Sequence, residues 1–484
     1  MTELHFQSAS ELAGGIKAKE IGCLELLEHF LDRCERHNPA LNAIVTWDRE
    51  GARTRAKQAD EALAKGEDWG PLHGLPMTVK ESFDAVGMPT TWGLPGLANN
   101  VPTTNAVLVD RLLGAGAVLF GKTNVPLMLA DWQSFNEVYG TTNNPWDVRR
   151  APGGSSGGSA AALAAGLTGL DAGSDIGASI RNPAHYCGVY GHKPTYGIVP
   201  VRGLATPGVL APGDISVVGP MARSAEDLAL ELGIVAGPDE MDAPGWRLAL
   251  PKPRRKSLKG YRIAVMLSDP VCPVDSAYSD RIQAVAEAAA KAGAEVDFKA
   301  RPKIDMQRSH DIYIQLLRGV TSARLPVEEF ENNLAKAAAL DDDDTTYPDQ
   351  QVRAAVQYHR DWVGANEERM HMRWAWHEFF REWDVLLCPT ASTDAMAHDQ
   401  EGERWERFIN VNGEPQSQVD QLFWAGMSGV VYLPSTIAPA GLTPAGLPTG
   451  VQIVGPHLGD LQTIDFARLL ADEIGGFQAP PGYD

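Results

Sequence analysis

The feature that most restricts how this chain can fold is the stretch between residues 151 and 162, which reads APGGSSGGSAAA. Glycine costs backbone conformational entropy on folding, so this density of glycine requires a structural or functional reason. A flexible linker is excluded, because the stretch continues into SAAALAAGL, which is typical of a tightly packed helix. A second turn, at residues 173–183, again places small residues around a serine. Small residues let backbone amides approach a substrate oxygen, as an oxyanion hole requires.

Candidate strands and helices alternate along the rest of the chain. Strands are predicted at residues 77–79, 118–120, 261–267, 294–298, 383–392, 433–441 and 449–455, and helices at 106–113, 276–292 and from 460. Residues 300–380 are predicted to be helical, with their aromatic side chains in the core. This alternation predicts an α/β fold in which helices cover both faces of a sheet.

Charge and cysteine content exclude several classes of function. The formal net charge of −20 argues against a nucleic-acid partner, because phosphate binding requires basic clusters. No apolar run approaches the roughly 20 residues of a membrane span, and the first residues lack the pattern of a signal peptide. Five cysteines, an odd number, show no metal-ligand spacing. We therefore expect a cytoplasmic protein with no cofactor, metal or membrane partner; a homodimer is left open.

Residues 116–123 match the phosphate-binding pattern G-x-x-x-x-G-K-[ST]. That motif requires a flexible loop followed directly by a helix. Here the four loop positions are Ala-Val-Leu-Phe, an apolar strand candidate, and Pro126 disfavours an immediate helix. A nucleotide-binding loop is therefore rejected.

Residues 153–157 match G-x-S-x-G, the nucleophile elbow of α/β-hydrolases. The elbow requires a buried strand directly before it, and the preceding sequence NPWDVRRAPGG is polar and interrupted by proline. His457 could complete such a triad, but nothing around it singles it out. The elbow interpretation is also rejected.

Lys80 ends the apolar run LPMTVK. A lysine in this position is a candidate for burial, and burial lowers the pKa of an ammonium group.

The segment 152–195, which begins PGGSSGGSAAALAAGLTGLDAGSDIGASIRNP, resembles the defining segment of the amidase signature family. The blocks GLPMTVKESFDAVGMPT, GAVLFGKTNVP, YGTTNNPWD, VGPMARSAEDL and GLPTGVQIVGP are similar to the family's flanking blocks. The resemblance implies a single large α/β domain with a mixed, mostly parallel sheet flanked by helices. We expect a helical N-terminal segment at 1–65, the signature core at 66–235, and a part at 236–484 that completes the sheet and covers the site.

The resemblance also implies hydrolysis of amides, and of some esters and carbamates, through three residues. By position, Ser179 is the nucleophile, Ser155 the bridging serine, which the family holds through a cis peptide, and Lys80 the base. Lysine acts as a base only when neutral. Lowering its pKa from about 10.4 to about 7–8 requires roughly 4 kcal/mol of differential interaction. Neutral Lys80 would take a proton from Ser155, which takes one from Ser179.

Further roles follow from the same resemblance. Three groups of residues are assigned: the oxyanion hole to Ile176, Gly177 and Ala178; substrate binding to Met128, Leu129, Ala130, Trp132 and Gly154, with Asp131 beside them; and structural support to Ser156, Asp175 and Arg181.

The chain departs from the family pattern at two positions. Ala178 stands where glycine is usual, and we expect its methyl group either to narrow the acyl pocket or to restrict the backbone angle φ. Ile198 stands where arginine is common, a difference for which the sequence offers no explanation.

Three functions fit this resemblance. The first is a stand-alone hydrolase of small or aromatic amides, carbamates or esters. The second is the glutaminase subunit of a tRNA-dependent amidotransferase, which requires partner chains. The third is an inactive relative used for binding, which the complete set of catalytic residues disfavours. A glutaminase must hold the charged groups of glutamine, whereas the pocket segment MLADWQ is rather apolar. The sequence therefore favours the first.

Overall fold

The computed structural model describes residues 3–341 and 343–483 of the chain. The strands are β1 (Ile44–Trp47), β2 (Pro76–Lys80), β3 (Val118–Thr123), β4 (Phe135–Asn136), β5 (Gly140–Thr141), β6 (Asp171–Asp175), β7 (Tyr190–Lys193), β8 (Val217–Ala222), β9 (Arg262–Val265), β10 (Glu295–Asp297), β11 (Val385–Cys388), β12 (Phe408–Val411), β13 (Glu414–Ser417), β14 (Ser435–Leu442) and β15 (Pro448–Val454). The helices are α1 (Ala9–Lys17), α2 (Cys23–Leu41), α3 (Arg49–Ala64), α4 (Val107–Gly114), α5 (Gly157–Ala164), α6 (Arg181–Cys187), α7 (Ala225–Val235), α8 (Ser276–Lys291), α9 (Met306–Thr321), α10 (Val327–Ala339), α11 (Tyr347–Ala355), α12 (His359–Glu382), α13 (Leu422–Gly429) and α14 (Asp460–Ile474).

The central sheet has eight strands in the order β10-β9-β11-β15-β14-β7-β8-β6. β9 runs parallel to β10 and β11, and the other five neighbouring pairs are antiparallel. The sheet is therefore mixed and flanked by helices, as predicted, but the expected predominance of parallel strands is wrong. β14 and β15 illustrate the reason: residues 443–447 between them are too few for a crossover, so the chain turns back as a hairpin.

A smaller sheet, with the order β1-β3-β2, brings Lys80 to the central sheet. β2 is parallel to β3, and the Thr78 hydroxyl of β2 donates a hydrogen bond of 2.5 Å to Asp171 of β6. Lys80, the last residue of β2, donates to Ser174 Oγ at 2.9 Å, one residue before the end of β6, so the carboxyl ends of the two strands also lie side by side. β1 also interrupts the N-terminal segment, which was expected to be helical.

The predicted strands and helices overlap observed elements throughout. The rejection of a nucleotide-binding loop is confirmed, because residues 118–123 form β3 and the buried Lys122 ammonium donates to Pro89 O at 2.6 Å and Thr90 Oγ1 at 2.8 Å. None of the helices in the described ranges is long and apolar enough to cross a membrane.

The region from 306 to 382 consists mainly of α9, α10, α11 and α12, as predicted. Trp376 and Phe379 of α12 are buried in the main core, with Trp362 and Phe380 packed against it. Trp374 is 64% exposed, so the expectation of a core position is wrong for this residue, which lies on the solvent side of α12.

Candidate active site

Lys80, the last residue of β2, is fully buried at the centre of the site. Its ammonium group donates hydrogen bonds to Ser155 Oγ at 2.6 Å and Ser174 Oγ at 2.9 Å, and lies 3.4 Å from the Ser174 carbonyl oxygen. Ser174, a residue of β6 to which the sequence assigned no role, is thus a second hydroxyl partner. Because β2 and β6 end side by side, the strand that carries the lysine also meets the strand that leads to Ser179.

Burial controls the protonation of Lys80. It lowers the pKa of the ammonium group to about 7, against the opposing influence of Asp175 and then Asp171. Among the described residues, no carboxylate lies close enough to form an ion pair with it. At neutral pH a large fraction of the molecules therefore carries a neutral lysine that can accept a proton.

The glycines before Ser155 are required by close backbone contacts. Gly153 has a φ of +88°, and a Cβ there would lie 2.6 Å from Pro183 Cα. A Cβ on Gly154 would lie 2.2 Å from the carbonyl oxygen of Asp131. The Gly154–Ser155 peptide bond is cis, as the resemblance implied. Only glycine at these two positions allows the turn to lie between two other backbone segments. This close packing accounts for the glycines directly before Ser155.

Ser179 lies in the turn between β6 and α6, and the side chain of Asp175 stabilises this turn through hydrogen bonds to its backbone. This carboxylate accepts hydrogen bonds from the backbone amides of Ala178 at 3.0 Å and Ile180 at 3.1 Å, and forms a fully buried ion pair with Arg181 at 2.9 Å. Burial alone would raise the pKa of Asp175, but the Arg181 guanidinium, together with Lys193 and the Ile180 amide, holds the pKa below its usual value. Asp175 and Arg181 thus lie where the predicted supporting role requires.

The two serine turns are joined by the backbone. The amide of Ser156 donates to the carbonyl oxygen of Ser179 at 3.0 Å, and the Ser156 hydroxyl lies 3.4 Å from the Ser174 carbonyl oxygen. Ser155 and Ser179 line the same cavity, whereas Lys80 lies behind Ser155, out of reach of a bound molecule. This order of groups fits proton transfer from Ser179 through Ser155 to Lys80.

Two side chains orient the peptide groups before Ser179. The Tyr313 hydroxyl of α9 donates to Ile176 O at 3.0 Å, and the Trp132 indole donates to Gly177 O at 2.7 Å. In a planar trans peptide the carbonyl and the following amide point in opposite directions. Tyr313 therefore fixes the direction of the Gly177 amide, and Trp132 turns the Ala178 amide toward Asp175.

The predicted oxyanion hole of three amides needs correction at Ala178. Its amide is already bound to Asp175, so it is not available to a substrate oxygen. Within the described part of the chain, the amides of Ile176 and Gly177 donate no hydrogen bond, and both residues line the cavity. The hole therefore has two donors at most from this segment.

Of the two expected effects of the Ala178 methyl group, a narrowed acyl pocket is wrong, whereas a restricted φ agrees with the structure. Ala178 is fully buried in the main core and does not line the cavity. Its φ of +69° lies in the left-handed region, which turns the side chain away from the cavity and which glycine tolerates better. The departure from the family pattern is thus a matter of backbone conformation.

Comparison with known proteins shows which family the chain belongs to. A family model described as Amidase matches residues 25–464. The chain belongs to the amidase signature family. It is therefore an amide hydrolase of that family. An acylamidase of Rhodococcus erythropolis is 33% identical over 466 residues, which cover 95% of this chain and 94% of the relative.

The other similar proteins are named for several activities. A glutamyl-tRNA(Gln) amidotransferase subunit of Carboxydothermus hydrogenoformans is 31% identical over 473 residues, which cover 94% of each chain. Among solved structures, a bacterial aryl acylamidase of the amidase signature family has a TM-score of 0.83 at 26% identity over 99% of both chains. A 6-aminohexanoate cyclic dimer hydrolase complexed with substrate has a TM-score of 0.80 at 26% identity over 99% of this chain and 100% of that one.

The cavity of this amidase has a volume of about 310 Å³ and is lined by four of the five residues predicted to bind substrate, together with Asp131. The exception is Gly154, which does not line it, because its Cα faces the Asp131 backbone. The lining also includes residues that the sequence did not indicate: Trp92, several residues between 204 and 216, Leu317, Arg318, Val320, Thr321, Arg324, Arg404 and Leu422. These come from segments far apart in the chain, so no local pattern marks them.

The two histidines near the nucleophile turn of this amidase have structural roles. His185 donates to Thr393 O at 2.9 Å and accepts from the Gly450 amide at 2.7 Å, and His192 pairs with Asp460 at 3.1 Å. Both are fully buried, and neither lines the cavity. Among the described residues, Lys80 is therefore the basic side chain that contacts Ser155 beside the cavity.

Proposed function

We propose that this amidase is a stand-alone hydrolase that cleaves small or aromatic amides through an acyl-enzyme on Ser179. The observation that carries the proposal is the 2.6 Å hydrogen bond from the buried Lys80 ammonium to Ser155, beside a cavity that Ser155 and Ser179 share. A weak hydroxyl nucleophile requires a nearby base, and a lysine with a pKa of about 7 meets that need.

In the proposed reaction, Ser179 Oγ attacks the carbonyl carbon of the amide. Its proton passes to Ser155, whose own proton passes to neutral Lys80. The amides of Ile176 and Gly177 stabilise the negative charge on the carbonyl oxygen. The relay then returns the proton to the leaving nitrogen as the C–N bond breaks. Water attacks the acyl-enzyme with the same relay acting as base, which releases the acid and restores Ser179.

The glutaminase alternative is supported by the relatives that are named as glutamyl-tRNA(Gln) amidotransferase subunits. Glutamine carries an ammonium group, which calls for a free carboxylate in the cavity. Among the described lining residues the acidic side chain is Asp131, and Arg407 engages it at 2.7 Å. This pairing favours the stand-alone hydrolase.

The test is hydrolysis by the purified chain of an aliphatic amide, an anilide, a carbamate and an ester with the same acyl group, with glutamine assayed in parallel. We expect turnover of the amide or anilide by the chain alone, and none by Ser179→Ala prepared in the same way. Glutamine turnover that appears only when the partner chains of an amidotransferase are added would overturn the proposal in favour of the alternative.

A further inference from the structure

The lining of the catalytic cavity carries positive charge, in contrast to the molecule as a whole. The chain has a formal net charge of −20. The described residues that line the cavity include three arginines, Arg318, Arg324 and Arg404, against one carboxylate, Asp131. Asp131 is paired with Arg407, which lies outside the lining, and also attracts Arg404, so this one carboxylate compensates only part of the positive charge of the three arginines.

Arg318, on the same helix as Tyr313, is only 7% exposed and lacks an anionic partner among the described residues. Its guanidinium lies 5.3 Å from the centre of the Tyr347 ring and donates to the Tyr347 hydroxyl. Its Nε is buried, with no hydrogen-bond partner in the described part of the chain. A buried donor without a partner is costly, so a ligand that accepts a hydrogen bond here would offset that cost.

Arg404 is the second cation of this wall. Its guanidinium makes no ion pair or hydrogen bond with any described residue. Burial, and then the charge of Arg404, lower the pKa of Arg318 to about 9, so Arg318 remains protonated at neutral pH. Two guanidinium groups that repel each other across a cavity form a natural site for an anion.

The other arginines that are buried in the described ranges have either a carboxylate or backbone carbonyl oxygens as partners. Arg181 pairs with Asp175 at 2.9 Å, Arg369 with Asp214 at 2.8 Å, and Arg407 with Asp131 at 2.7 Å. Arg33 and Arg223 donate instead to backbone carbonyl oxygens, Arg33 to Gly166 O at 3.1 Å and Arg223 to Thr168 O at 2.7 Å. Arg318 departs from this pattern at the wall of the catalytic cavity.

We propose that this amidase acts on amides that carry a carboxylate remote from the scissile bond, and that Arg318 and Arg404 hold this carboxylate. The proposal rests on the proposed function and names its substrate class. Leu317, Val320 and Leu422 line the cavity beside the arginines and would contact an apolar spacer between the amide and the carboxylate. Arginine binds a carboxylate through two parallel hydrogen bonds, which gives direction as well as affinity.

The first measurement compares matched substrates with the wild-type enzyme. The monoamides of glutaric, adipic and suberic acid are compared with the methyl esters of the same monoamides. The esters have nearly the same size and carry no charge. The release of ammonia is measured for each compound. We expect kcat/KM for the preferred monoamide to exceed that of its ester by about tenfold or more, mainly through a lower KM. Equal or better hydrolysis of the neutral compounds would overturn the proposal.

The second measurement uses variants. Arg318→Gln and Arg404→Gln should each lower the ratio of kcat/KM for the carboxylate substrate to that for its ester by about tenfold, and Arg318→Lys should restore part of it. Arg308→Gln is the matched control, because Arg308 lies on the same helix, is exposed and pairs with Glu368 at 2.6 Å. If Arg318→Gln and Arg404→Gln leave this ratio as unchanged as the control Arg308→Gln does, the proposal is contradicted.

If no amide is hydrolysed, the proposed function fails, and binding decides the inference separately. Titration calorimetry with glutarate and adipate should give saturable binding to the wild-type protein and to Arg308→Gln, with an affinity about tenfold or more weaker in Arg318→Gln. Absence of binding to the wild type, or equal binding to Arg318→Gln, would overturn the inference.

Discussion

Lys80 sets the pH range in which the relay can work. In the proposed mechanism its neutral form accepts the proton from Ser155, and burial lowers its pKa to about 7. Since the neutral form predominates above the pKa, kcat/KM for an uncharged amide should rise with pH and level off above about pH 8. Lys80→Ala should lose activity by roughly 100-fold to 10,000-fold, and the residual activity should lack this ascending limb. An ascending limb of the same midpoint in Lys80→Ala would show that another group titrates.

Ala178, next to Ser179, affects the site through its backbone conformation and not through its side chain. Its φ of +69° costs an alanine roughly 1–2 kcal/mol, whereas glycine adopts this conformation freely. Relief of this strain is partly offset, because glycine loses more backbone entropy on folding than alanine does. Ala178→Gly should therefore raise the free energy of unfolding by a net amount of about 0.5–1 kcal/mol.

Chemical denaturation measures this change, and activity toward small and bulky acyl groups serves as the control. Because the methyl group does not face the cavity, the activity ratio between these substrates should stay the same. A shifted ratio without a gain in stability would restore the original expectation of a narrowed pocket.

At the level of elements, α9 supports the turn that follows β6. The Tyr313 hydroxyl holds Ile176 O at 3.0 Å, and burial raises the pKa of that hydroxyl, so it remains a proton donor. Tyr313→Phe should leave the Gly177 amide free to turn away and lower kcat by about 10-fold to 100-fold with little change in KM. Tyr278→Phe removes a buried hydroxyl that donates to Gly450 O at 2.6 Å and is the matched control. An equal loss of kcat in both variants would show that Tyr313 contributes to stability and does not orient the Gly177 amide.

The contrast between the serine turns and the cavity wall shows what the sequence could predict. Ser155 and Ser179 lie in contiguous runs of small residues, so their turns are encoded locally, and so are the strands and helices around them. Arg318 and Arg404 meet only because distant segments pack together, and no local pattern specifies which face of α9 lines the cavity. The short connection between β14 and β15 marks a hairpin locally, whereas the antiparallel pairing of β14 with β7 and of β8 with β6 depends on tertiary contacts between distant segments.

For the whole molecule, Glu231 of α7 links stability to pH. It is fully buried, and neither carboxylate oxygen has a hydrogen-bond partner in the described ranges. Burial, with a smaller contribution from Asp171 and Asp227, raises its pKa well above the usual value. The folded protein therefore keeps a proton that the unfolded chain loses above about pH 4.3. The free energy of unfolding should fall with increasing pH, by up to about 1.4 kcal/mol per pH unit from this group.

Glu231→Gln removes this dependence and should be more stable than the wild type at about pH 8, by about 1 kcal/mol or more, with a smaller difference near about pH 5. Denaturant unfolding at several pH values measures the difference. Glu226→Gln changes an exposed carboxylate on the same helix and is the control. A difference that does not vary with pH would mean that Glu231 does not titrate between the two states.

The central claim is that Ser179 is the nucleophile and that Ser155 carries its proton to Lys80. The most direct test is covalent labelling with a fluorophosphonate, followed by mass spectrometry of the digested protein. The label should be found on Ser179, and Ser179→Ala should show neither label nor turnover. A label on Ser155, together with activity retained in Ser179→Ala, would contradict this assignment of the site.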